Sequence, residues 1–296
     1  MRLLITGANG LLGYKLSELS VNRSHKVYSG YVSGLPSFGL PIKLNLIDPS
    51  SINQAFDTIR PEVVLHCAAL TDVDRCEVEK DLAMRINVHG TRLLAEAANK
   101  VGSQVIFVST DYVFDGSKGM YREVDEPRPI NFYGHTKLLA EMALIDSRAE
   151  YLIARTSVIY GSRPASGKVN FALFILERLK ALKEIKALAD QFITPTLNSN
   201  LAEMLLEAAE KGLKGLYHMS GATRVSRYDF SIKLADTFNL NRNLIKKAKT
   251  SDFQSLWKAK RPADSSLDVS KIANFLNNKP MYLNDALIKL KKEIEG

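Results

Sequence analysis

A tyrosine and a lysine four residues apart are the residues of this sequence best suited to chemistry. They are Tyr133 and Lys137, in the segment NFYGHTK. On a helix this spacing places both side chains on one face, so the ammonium can lie beside the phenol. A phenol has an ordinary pKa of about 10, and a neighbouring cation favours the phenolate and lowers that pKa. The pair is therefore a candidate for acid–base catalysis near neutral pH.

Two polar residues at the end of a predicted strand are the next candidates. Thr110 and Asp111 follow an apolar run in the segment VSTDYVFDG. Open α/β sheets bind ligands at the carboxyl ends of their strands, so the Thr110 hydroxyl can hydrogen-bond a substrate carbonyl or alcohol oxygen. Asp111 can accept hydrogen bonds from sugar hydroxyls. Structural alternatives remain open: a turn at Thr110, a strand-end cap at Asp111, and an amphipathic helix with a surface lysine at Lys137.

The segment TGANGLLG, residues 6–13, has three glycines at intervals of three. This spacing matches neither G-x-G-x-x-G nor a P-loop. Between a strand and a helix, we expect Gly7 to allow a tight turn, Gly10 a close approach of the backbone to a pyrophosphate, and Gly13 close packing of helix on sheet. The free N–H groups at the helix start would face the phosphates. A purely structural turn is the alternative.

The second predicted strand gives a weak indication of the cofactor. In an NAD-binding unit, an acidic residue near the end of this strand holds the ribose 2′-hydroxyl. The strand here ends in YSGYVSG, with neither Asp nor Glu at its tip and no Arg there to bind a 2′-phosphate. This pattern favours NADP(H) over NAD(H). Asn45, Leu46 and Asp48 are candidates for the adenine side, although Asp48 with Pro49 is also an ordinary helix entry.

The elements that must position these residues follow an alternating pattern. Strands are predicted over residues 2–6, 26–31, 42–45, 62–69, 104–110 and 151–156. Helices are predicted over Leu11–Leu19, 49–60, Leu82–Lys100 and Tyr133–Asp146, with a polar connection over 69–79. Short apolar runs that alternate with helices indicate an α/β protein with a Rossmann-type doubly wound parallel sheet.

The pattern becomes less regular after Gly161. Helical stretches are predicted at Phe171–Leu182, Asn200–Glu210 and Tyr228–Phe238. We therefore expect a dinucleotide-binding Rossmann domain over residues 1–160, to which some later segments return. Residues 161–296 would form mainly a smaller C-terminal substrate-binding lobe.

Composition excludes several classes of protein. The 296 residues are 46% hydrophobic and 24% charged, as in soluble globular proteins, and no apolar run is long enough to span a membrane. Two cysteines, Cys67 and Cys76, give no disulfide framework, so a reduced cytoplasmic setting is expected. We predict no metal site, and the sequence leaves open whether a divalent ion bridges subunits.

The net charge of +8 is unevenly spread. Residues 1–150 carry 16 basic and 18 acidic residues, whereas the remainder carries 24 and 14. A basic half could attract nucleic acid or an anionic small molecule such as a nucleotide sugar, although most of its lysines fit solvated helix faces. No zinc-finger spacing, aromatic-basic RNA motif or helix-turn-helix supports nucleic-acid binding.

Five segments occur in an order that is typical of a known family: TGANGLLG, HCAALTDVDRCE, NVHGT, STDYVFDG and YGHTK. With them, the chain resembles the extended short-chain dehydrogenase/reductases, and among these the dTDP-4-dehydrorhamnose reductase family. The later segments ARTSVIYG, VNFALFIL, DQFITPT, GLYHMSG and RPADSSLDVSKI agree, so the resemblance covers Met1 to about Leu290.

The resemblance implies an NADPH- or NADH-dependent reduction of a dTDP-linked 4-keto-6-deoxysugar, dTDP-4-dehydro-L-rhamnose, to dTDP-L-rhamnose. By motif, Thr110, Tyr133 and Lys137 would be catalytic, with Tyr133 as proton donor and Lys137 also holding the nicotinamide ribose. Thr110 and Asp111 match substrate-contacting positions. For the cofactor, the resemblance implies Gly10, Leu11 and Leu12 at the turn. It implies Asn45 and Leu46 on the adenine side, and Ala68, Ala69 and Leu70 at the strand end.

Two positions depart from the family pattern in or near the expected sugar pocket. Val158 stands where the family has a Trp that packs on the sugar, and Ile193 stands where a glycine is expected. A valine leaves more room and lacks the stacking face, so a different deoxysugar also fits. Lys168 and Arg261 are weak candidates for the substrate diphosphate, with a loop charge and a structural anchor as the respective alternatives.

The family pattern also includes a non-catalytic branch, the NADP-binding regulatory subunits of methionine adenosyltransferase. Retention of Thr110, Tyr133 and Lys137 is compatible with that role too. The oligomeric state stays open, and a homodimer is compatible with the sequence.

Overall fold

A parallel sheet and the helices on its two faces position the candidate residues. The computed structural model describes residues 1–164 and 169–296. The strands of these residues are β1 (Arg2–Thr6), β2 (Lys26–Tyr31), β3 (Leu40–Lys43), β4 (Val63–His66), β5 (Gln104–Thr110), β6 (Tyr151–Thr156), β7 (Ile159–Tyr160), β8 (Ile185–Leu188), β9 (Phe192–Ile193), β10 (Thr196–Leu197), β11 (Gly215–His218), β12 (Val225–Ser226) and β13 (Ile245–Ala248).

Helices connect and cover these strands. They are α1 (Leu11–Asn22), α2 (Pro49–Ile59), α3 (Val73–Val78), α4 (Lys80–Ala83), α5 (Gly90–Val101), α6 (Phe132–Asp146), α7 (Phe171–Lys180), α8 (Asn198–Glu210), α9 (Arg227–Thr237), α10 (Ser270–Ala273) and α11 (Leu283–Glu295). A π-helical segment, Met84–His89, joins α4 to α5, and short 3₁₀ turns lie at Asp111–Val113, Arg242–Leu244 and Thr250–Phe253. None of the helices in the described ranges is long and apolar enough to cross a membrane.

The sheet has the strand order β3-β2-β1-β4-β5-β6-β11, and every neighbouring pair is parallel. Its direction of winding reverses between β1 and β4, where Thr6 pairs with His66. This reversal is the topological switch point at which doubly wound sheets bind ligands. The predicted α/β fold class is therefore confirmed.

Two apolar cores lie on opposite faces of the sheet. On one face, α1 packs against α8, with Leu12 and Leu16 beside Leu201 and Leu205. On the other face, α2, α5 and α6 cover the strands with Phe56, Leu94 and Leu144 among other residues. A parallel strand between two such layers must be apolar on both sides, and this is why these strands appear in the sequence as continuous apolar runs.

A third core holds the C-terminal elements together. Helices α7, α9 and α11 surround the fully buried Tyr160 and Phe230, whose rings meet edge to face at 5.2 Å between centroids. Both α8 and β11 come from the part of the chain beyond residue 161 but pack on α1 and β6, respectively. The division into two domains near residue 160 stays a prediction.

Several local expectations differ from the structure. The strands expected over 42–45 and 62–69 lie at Leu40–Lys43 and Val63–His66. The segment 69–79 was expected to be a polar connection, but it contains α3, which begins because the Asp72 side chain accepts a hydrogen bond from the Arg75 N–H at 2.9 Å. The expected helix Leu82–Lys100 is part of one helical stretch over residues 80–101, whose hydrogen-bond pattern is interrupted by the π-helical segment.

Candidate active site

A cleft of about 580 Å³ lies over the carboxyl ends of the central strands. It lies at the switch point and extends from the glycine turn to α6. Of the catalytic, cofactor and substrate residues predicted from the sequence, those that line it are Gly7, Gly10, Leu11, Leu12, Gly13, Ala68, Ala69, Thr110, Asp111, Tyr133 and Lys137. The structure therefore brings both motif groups, the glycine turn and the polar set, to one cavity.

Glycines at the turn allow α1 to approach the sheet end. Gly7 has φ of +67°, a backbone conformation that side chains disfavour. A β-carbon at Gly13 would lie 2.2 Å from the Gly7 carbonyl oxygen, so only glycine lets the helix start this close to the turn. Gly10 is the N-cap residue, and none of the described side chains caps this end of α1. The first N–H groups of α1 thus face the cleft and suit an anion.

Lys137 lies beneath the cleft on α6. Its ammonium donates a hydrogen bond to the Val108 carbonyl at 2.8 Å, and its side chain is almost fully buried. Burial lowers the pKa of Lys137 from 10.5 to about 7, although the charge of Glu141 acts in the opposite direction. The cation expected beside the phenol is therefore directed into the protein and loses its proton easily.

Tyr133 lies one helical turn before Lys137 and is half-buried in the cleft wall. Burial raises the pKa of its phenol above the ordinary value, and an interaction with the Thr110 hydroxyl offsets this rise only in part. The expectation that a neighbouring cation lowers this pKa is wrong for this structure, because desolvation of the phenol is the larger effect. Tyr133 is therefore a neutral phenol at pH 7.

Helix α6 is fixed to the sheet by a buried ion pair. Arg155 of β6 contacts Glu141 through two hydrogen bonds of 3.0 and 2.7 Å, and both side chains are at most 4% exposed. The Ser109 hydroxyl donates to the same carboxylate at 2.5 Å. At its start, α6 is capped by Asn131, whose side chain accepts from the Gly134 N–H at 2.8 Å. These contacts fix the orientation from which Tyr133 and Lys137 reach the cleft.

Asp111 joins three segments of the chain at the cleft wall. Its carboxylate accepts hydrogen bonds from the hydroxyls of Thr110, Ser157 and Ser265, at 3.1, 2.8 and 2.5 Å. The side chain is 2% exposed, and burial raises the pKa of this carboxyl. Its hydrogen-bonding capacity is largely used within the protein, and its predicted contact with the substrate stays a prediction.

Asn87, which sequence reasoning left without a role, connects α6 to the end of β4. From the π-helical segment it pairs with the backbone of Leu70, accepting from its N–H at 2.8 Å and donating to its carbonyl at 3.1 Å. It also donates to the Thr136 hydroxyl at 3.0 Å. π-helical segments often occur at functional sites. The NVHGT segment was the only signal for this residue in the sequence.

The buried His66 completes the polar layer below the cleft. Thr91 donates its hydroxyl proton to the Asn87 carbonyl, so it accepts from Nε2–H of His66 at 3.0 Å. Nδ1 of His66 then accepts from the Thr6 hydroxyl at 2.8 Å. Burial lowers the pKa of His66 to about 3, so the ring is neutral and fixed in one tautomer. These bonds join the ends of β1 and β4 to the helix.

Three of the predicted cofactor residues do not line the cleft. Asn45 accepts from the Ile47 N–H at 3.2 Å, Leu46 is buried in the core below α2 and α5, and the backbone of Leu70 is occupied by Asn87. Leu46 and Asn45 follow β3, beyond the tip of β2, whose last residues Gly30 and Tyr31 do line the cleft. Their proposed contact with adenine stays a prediction.

The positions that depart from the family pattern lie at different depths. Val158 lines the cleft with φ of 30°, a strained conformation for a β-branched residue. Ile193 is buried in the C-terminal core and does not line the cleft. Lys168 lies outside the described residues. Arg261 pairs with Asp74 at 2.8 Å, and Asp74 also accepts from two backbone N–H groups, so Arg261 is a structural anchor here.

In the described ranges no group of three or more His, Cys, Asp or Glu side chains has the geometry to hold a metal ion.

The sheet order and the cleft at its switch point define a Rossmann-type α/β protein. The model of the family described as the RmlD substrate binding domain matches residues 1–295, and the chain belongs to this family. It is 34% identical to a dTDP-4-dehydrorhamnose reductase of Aggregatibacter actinomycetemcomitans over 99% of both chains. It is also 34% identical to the probable low-salt glycan biosynthesis reductase Agl14 of Haloferax volcanii, over 98% of this chain and 97% of that one.

A different activity is represented among the relatives. The beta subunit of methionine adenosyltransferase 2 from Pongo abelii is 32% identical over 92% of this chain and 81% of its own length. Among solved structures, dTDP-4-dehydrorhamnose reductase from Bacillus anthracis, in complex with NADP, superimposes with a TM-score of 0.88 at 31% identity over 99% of both chains.

Proposed function

We propose that this protein reduces the 4-keto group of a nucleotide-linked 6-deoxysugar, with dTDP-4-dehydro-L-rhamnose as its substrate and NADPH or NADH as the reductant. The observation that carries the proposal is the convergence of Thr110, Tyr133 and Lys137 on the same cleft as the uncapped start of α1. The identity to a named reductase along the full chain and the fold shared with an NADP complex support it.

In this proposal, the residues of the chain prepare the cofactor and the ketone for reaction. The first N–H groups of α1 would bind the pyrophosphate, and Lys137 would hold the nicotinamide ribose. The nicotinamide supplies a hydride from its C4 atom when bound. Thr110 would orient the carbonyl oxygen of the sugar through a hydrogen bond.

Tyr133 would then donate its phenolic proton to the carbonyl oxygen as the hydride reaches the carbonyl carbon, which yields the alcohol. Its raised pKa keeps the proton on the phenol at neutral pH, as a donor requires. Lys137 lies one turn away and can stabilise the phenolate that forms, in the protonated state that binding of an anionic cofactor favours. The substrate would occupy the part of the cleft lined by Tyr112, Val158 and Val169.

The test is a spectrophotometric assay of NADPH or NADH consumption with enzymatically prepared dTDP-4-keto-6-deoxysugar and the matching 3,5-epimerase. Oxidation of the cofactor that requires all components supports the proposal, whereas no oxidation with either cofactor contradicts it.

A second candidate is a regulatory subunit, which the methionine adenosyltransferase relative supports. It predicts cofactor binding without sugar reduction, and a stable complex with a methionine adenosyltransferase catalytic subunit in pull-down experiments. Sugar reduction without that complex favours the reductase.

A further inference from the structure

A second cavity, of about 200 Å³, adjoins the cleft on the other side of the glycine turn. The two cavities share Asn9, Gly10 and Leu11 in their walls. The other residues that line the second cavity are Tyr14, Lys15, Ser37, Ser162, Arg163, Pro164 and Asn198. Two of these lining residues are cationic and none is acidic, so this cavity suits an anion.

Its position relative to β2 indicates which anion it would hold. Asn9 donates from its side-chain amide to the carbonyls of Ser33 and Gly34, at 2.9 and 2.7 Å, in the loop that follows β2. In Rossmann units the adenosine ribose lies at the tip of this strand, with its 2′ substituent beyond it. Ser37, from the same loop, lines the cavity. The cavity therefore lies next to the expected position of the ribose 2′ substituent.

Arg163 is held over this cavity by an aromatic ring. Its guanidinium stacks on Tyr14 at 4.0 Å from the ring centroid and donates a hydrogen bond to the Tyr14 hydroxyl. Tyr14 in turn packs edge to face on Phe38, at 5.3 Å between centroids. Asn170, the N-cap residue of α7, donates to the Arg163 carbonyl at 3.1 Å and to the Gly161 carbonyl at 2.9 Å. Both the backbone and the side chain of Arg163 are thus positioned before a ligand arrives.

The charge of Arg163 has no counter-charge within the part of the chain that the structure describes. None of the carboxylates in the described ranges forms an ion pair with it, whereas Lys15 pairs with Glu18 at 2.6 Å. The buried Asn198 amide oxygen has no hydrogen-bond partner among the same residues. A water bound with the ligand, or a ribose hydroxyl of the ligand, would supply the missing donor. An arginine with free N–H groups suits a phosphate monoester, which its planar fork can bind through two oxygens.

We propose that Arg163 and this second cavity bind the 2′-phosphate of NADPH and make the protein prefer NADPH over NADH. The inference rests on the proposed cofactor binding and extends it to a named specificity residue. It places the 2′-phosphate contact in a segment about 130 residues beyond β2, on the loop after β7, rather than at the strand tip.

The test compares dissociation constants of NADPH and NADH for the full-length protein, measured by cofactor fluorescence without any sugar. The wild-type protein should bind NADPH more tightly than NADH. Arg163→Ala should weaken NADPH binding by roughly 10- to 100-fold, the loss expected for charge-assisted hydrogen bonds, and change NADH binding less than about twofold. Arg163→Lys should lie between them, because it keeps the charge but not the fork.

Arg242→Ala is the matched control, since Arg242 is an exposed arginine of the C-terminal elements paired with Asp236. It should leave both affinities unchanged. Lowering the pH from 7.5 to 5.5 should reduce the NADPH preference of the wild type but not of Arg163→Ala, because a phosphate monoester takes up its second proton near pH 6.

Equal affinity of the wild type for both cofactors would overturn the inference and leave the reductase proposal standing. An equal loss of both affinities in Arg163→Ala would also overturn it, because the residue would then act on a part common to both cofactors. Conversely, the protein could reduce no sugar and still prefer NADPH over NADH in a way that depends on Arg163. That result would uphold the inference and contradict the proposed reaction.

Discussion

The ammonium of Lys137 donates a hydrogen bond to the carbonyl oxygen of Val108 at 2.8 Å, inside the protein. The lysine side chain is 3% exposed, and burial lowers its pKa from 10.5 to about 7. In the unfolded chain the same lysine keeps its ordinary pKa. The unfolded state therefore binds more protons between about pH 7 and pH 10.5, and this lysine makes the folded state more stable as the pH rises through that window.

Replacing Lys137 with methionine should remove this dependence. The free energy of unfolding of the Lys137→Met variant, relative to wild type, should fall steadily from about pH 7 to pH 10. Urea denaturation at several pH values measures it. The loss of the hydrogen bond to Val108 adds an offset that does not vary with pH, so the slope is diagnostic. Lys100→Met, at an exposed lysine in α5, is the control. A difference that is constant over this window would contradict the lowered pKa.

Removing the phenolic hydroxyl of Tyr133 should separate binding from turnover. We expect Tyr133→Phe to bind NADPH with wild-type affinity and to lose roughly 10²- to 10⁴-fold in kcat, the contribution of a positioned proton donor. Steady-state kinetics and cofactor titration measure the two quantities. Tyr28→Phe, on β2, should retain full turnover. If Tyr133→Phe also turned over at the wild-type rate, the tyrosine would not be the proton donor.

Asp111 is expected to contribute to stability through its three hydroxyl partners. The amide of Asp111→Asn keeps one acceptor oxygen and presents a donor to hydroxyls that need an acceptor. The variant should therefore lose about 1–3 kcal/mol of unfolding free energy. Asp57→Asn, at an exposed position in α2, should be nearly neutral in urea denaturation. A fully stable Asp111→Asn variant with impaired sugar binding would assign Asp111 to the substrate instead.

The buried pair of Arg155 and Glu141 should behave differently from an exposed pair. Glu141→Gln leaves the guanidinium of Arg155 buried without its counter-charge, at an expected cost of about 3–5 kcal/mol. The double variant Glu141→Gln/Arg155→Met should recover part of that loss. Glu79→Gln, in the exposed pair with Arg75, should be nearly neutral in urea denaturation. Equal costs of Glu141→Gln and Glu79→Gln would show that the buried pair does not anchor α6.

The strands were the most predictable part of the fold. The strands β1, β2, β5 and β6 have the bounds predicted from the sequence. For β1, β5 and β6 the reason is that a strand covered on both faces is a largely apolar run. By contrast, α3 lies in a polar segment, and its start depends on one cap at Asp72. The apolar periodicity does not reveal the π-helical segment, because the residues before and after it follow the pattern of an ordinary helix.

The candidate site was predictable where short motifs set it, and less so where distant segments meet. The glycine turn and the Tyr133–Lys137 spacing named residues that line one cleft, because strand ends of a parallel sheet converge. The direction of the Tyr133 pKa shift depends on burial, which spacing does not reveal. Arg163 contacts Tyr14 only because the tertiary fold brings the two segments together. The sequence shows that no arginine lies at the tip of β2, but it does not show that Arg163 lies near that tip.

The reaction proposed for this protein is hydride transfer from a nicotinamide to the 4-position of a nucleotide-linked sugar. Its most direct test incubates the protein with NADPH doubly deuterated at C4 of the nicotinamide and the dTDP-4-keto-6-deoxysugar with its epimerase, followed by mass spectrometry of the sugar nucleotide. We predict a reduced product with one deuterium at the sugar C4 atom, and no product with Tyr133→Phe over the same time. A recovered keto sugar without reduction, or a reduced sugar without deuterium, would contradict the account.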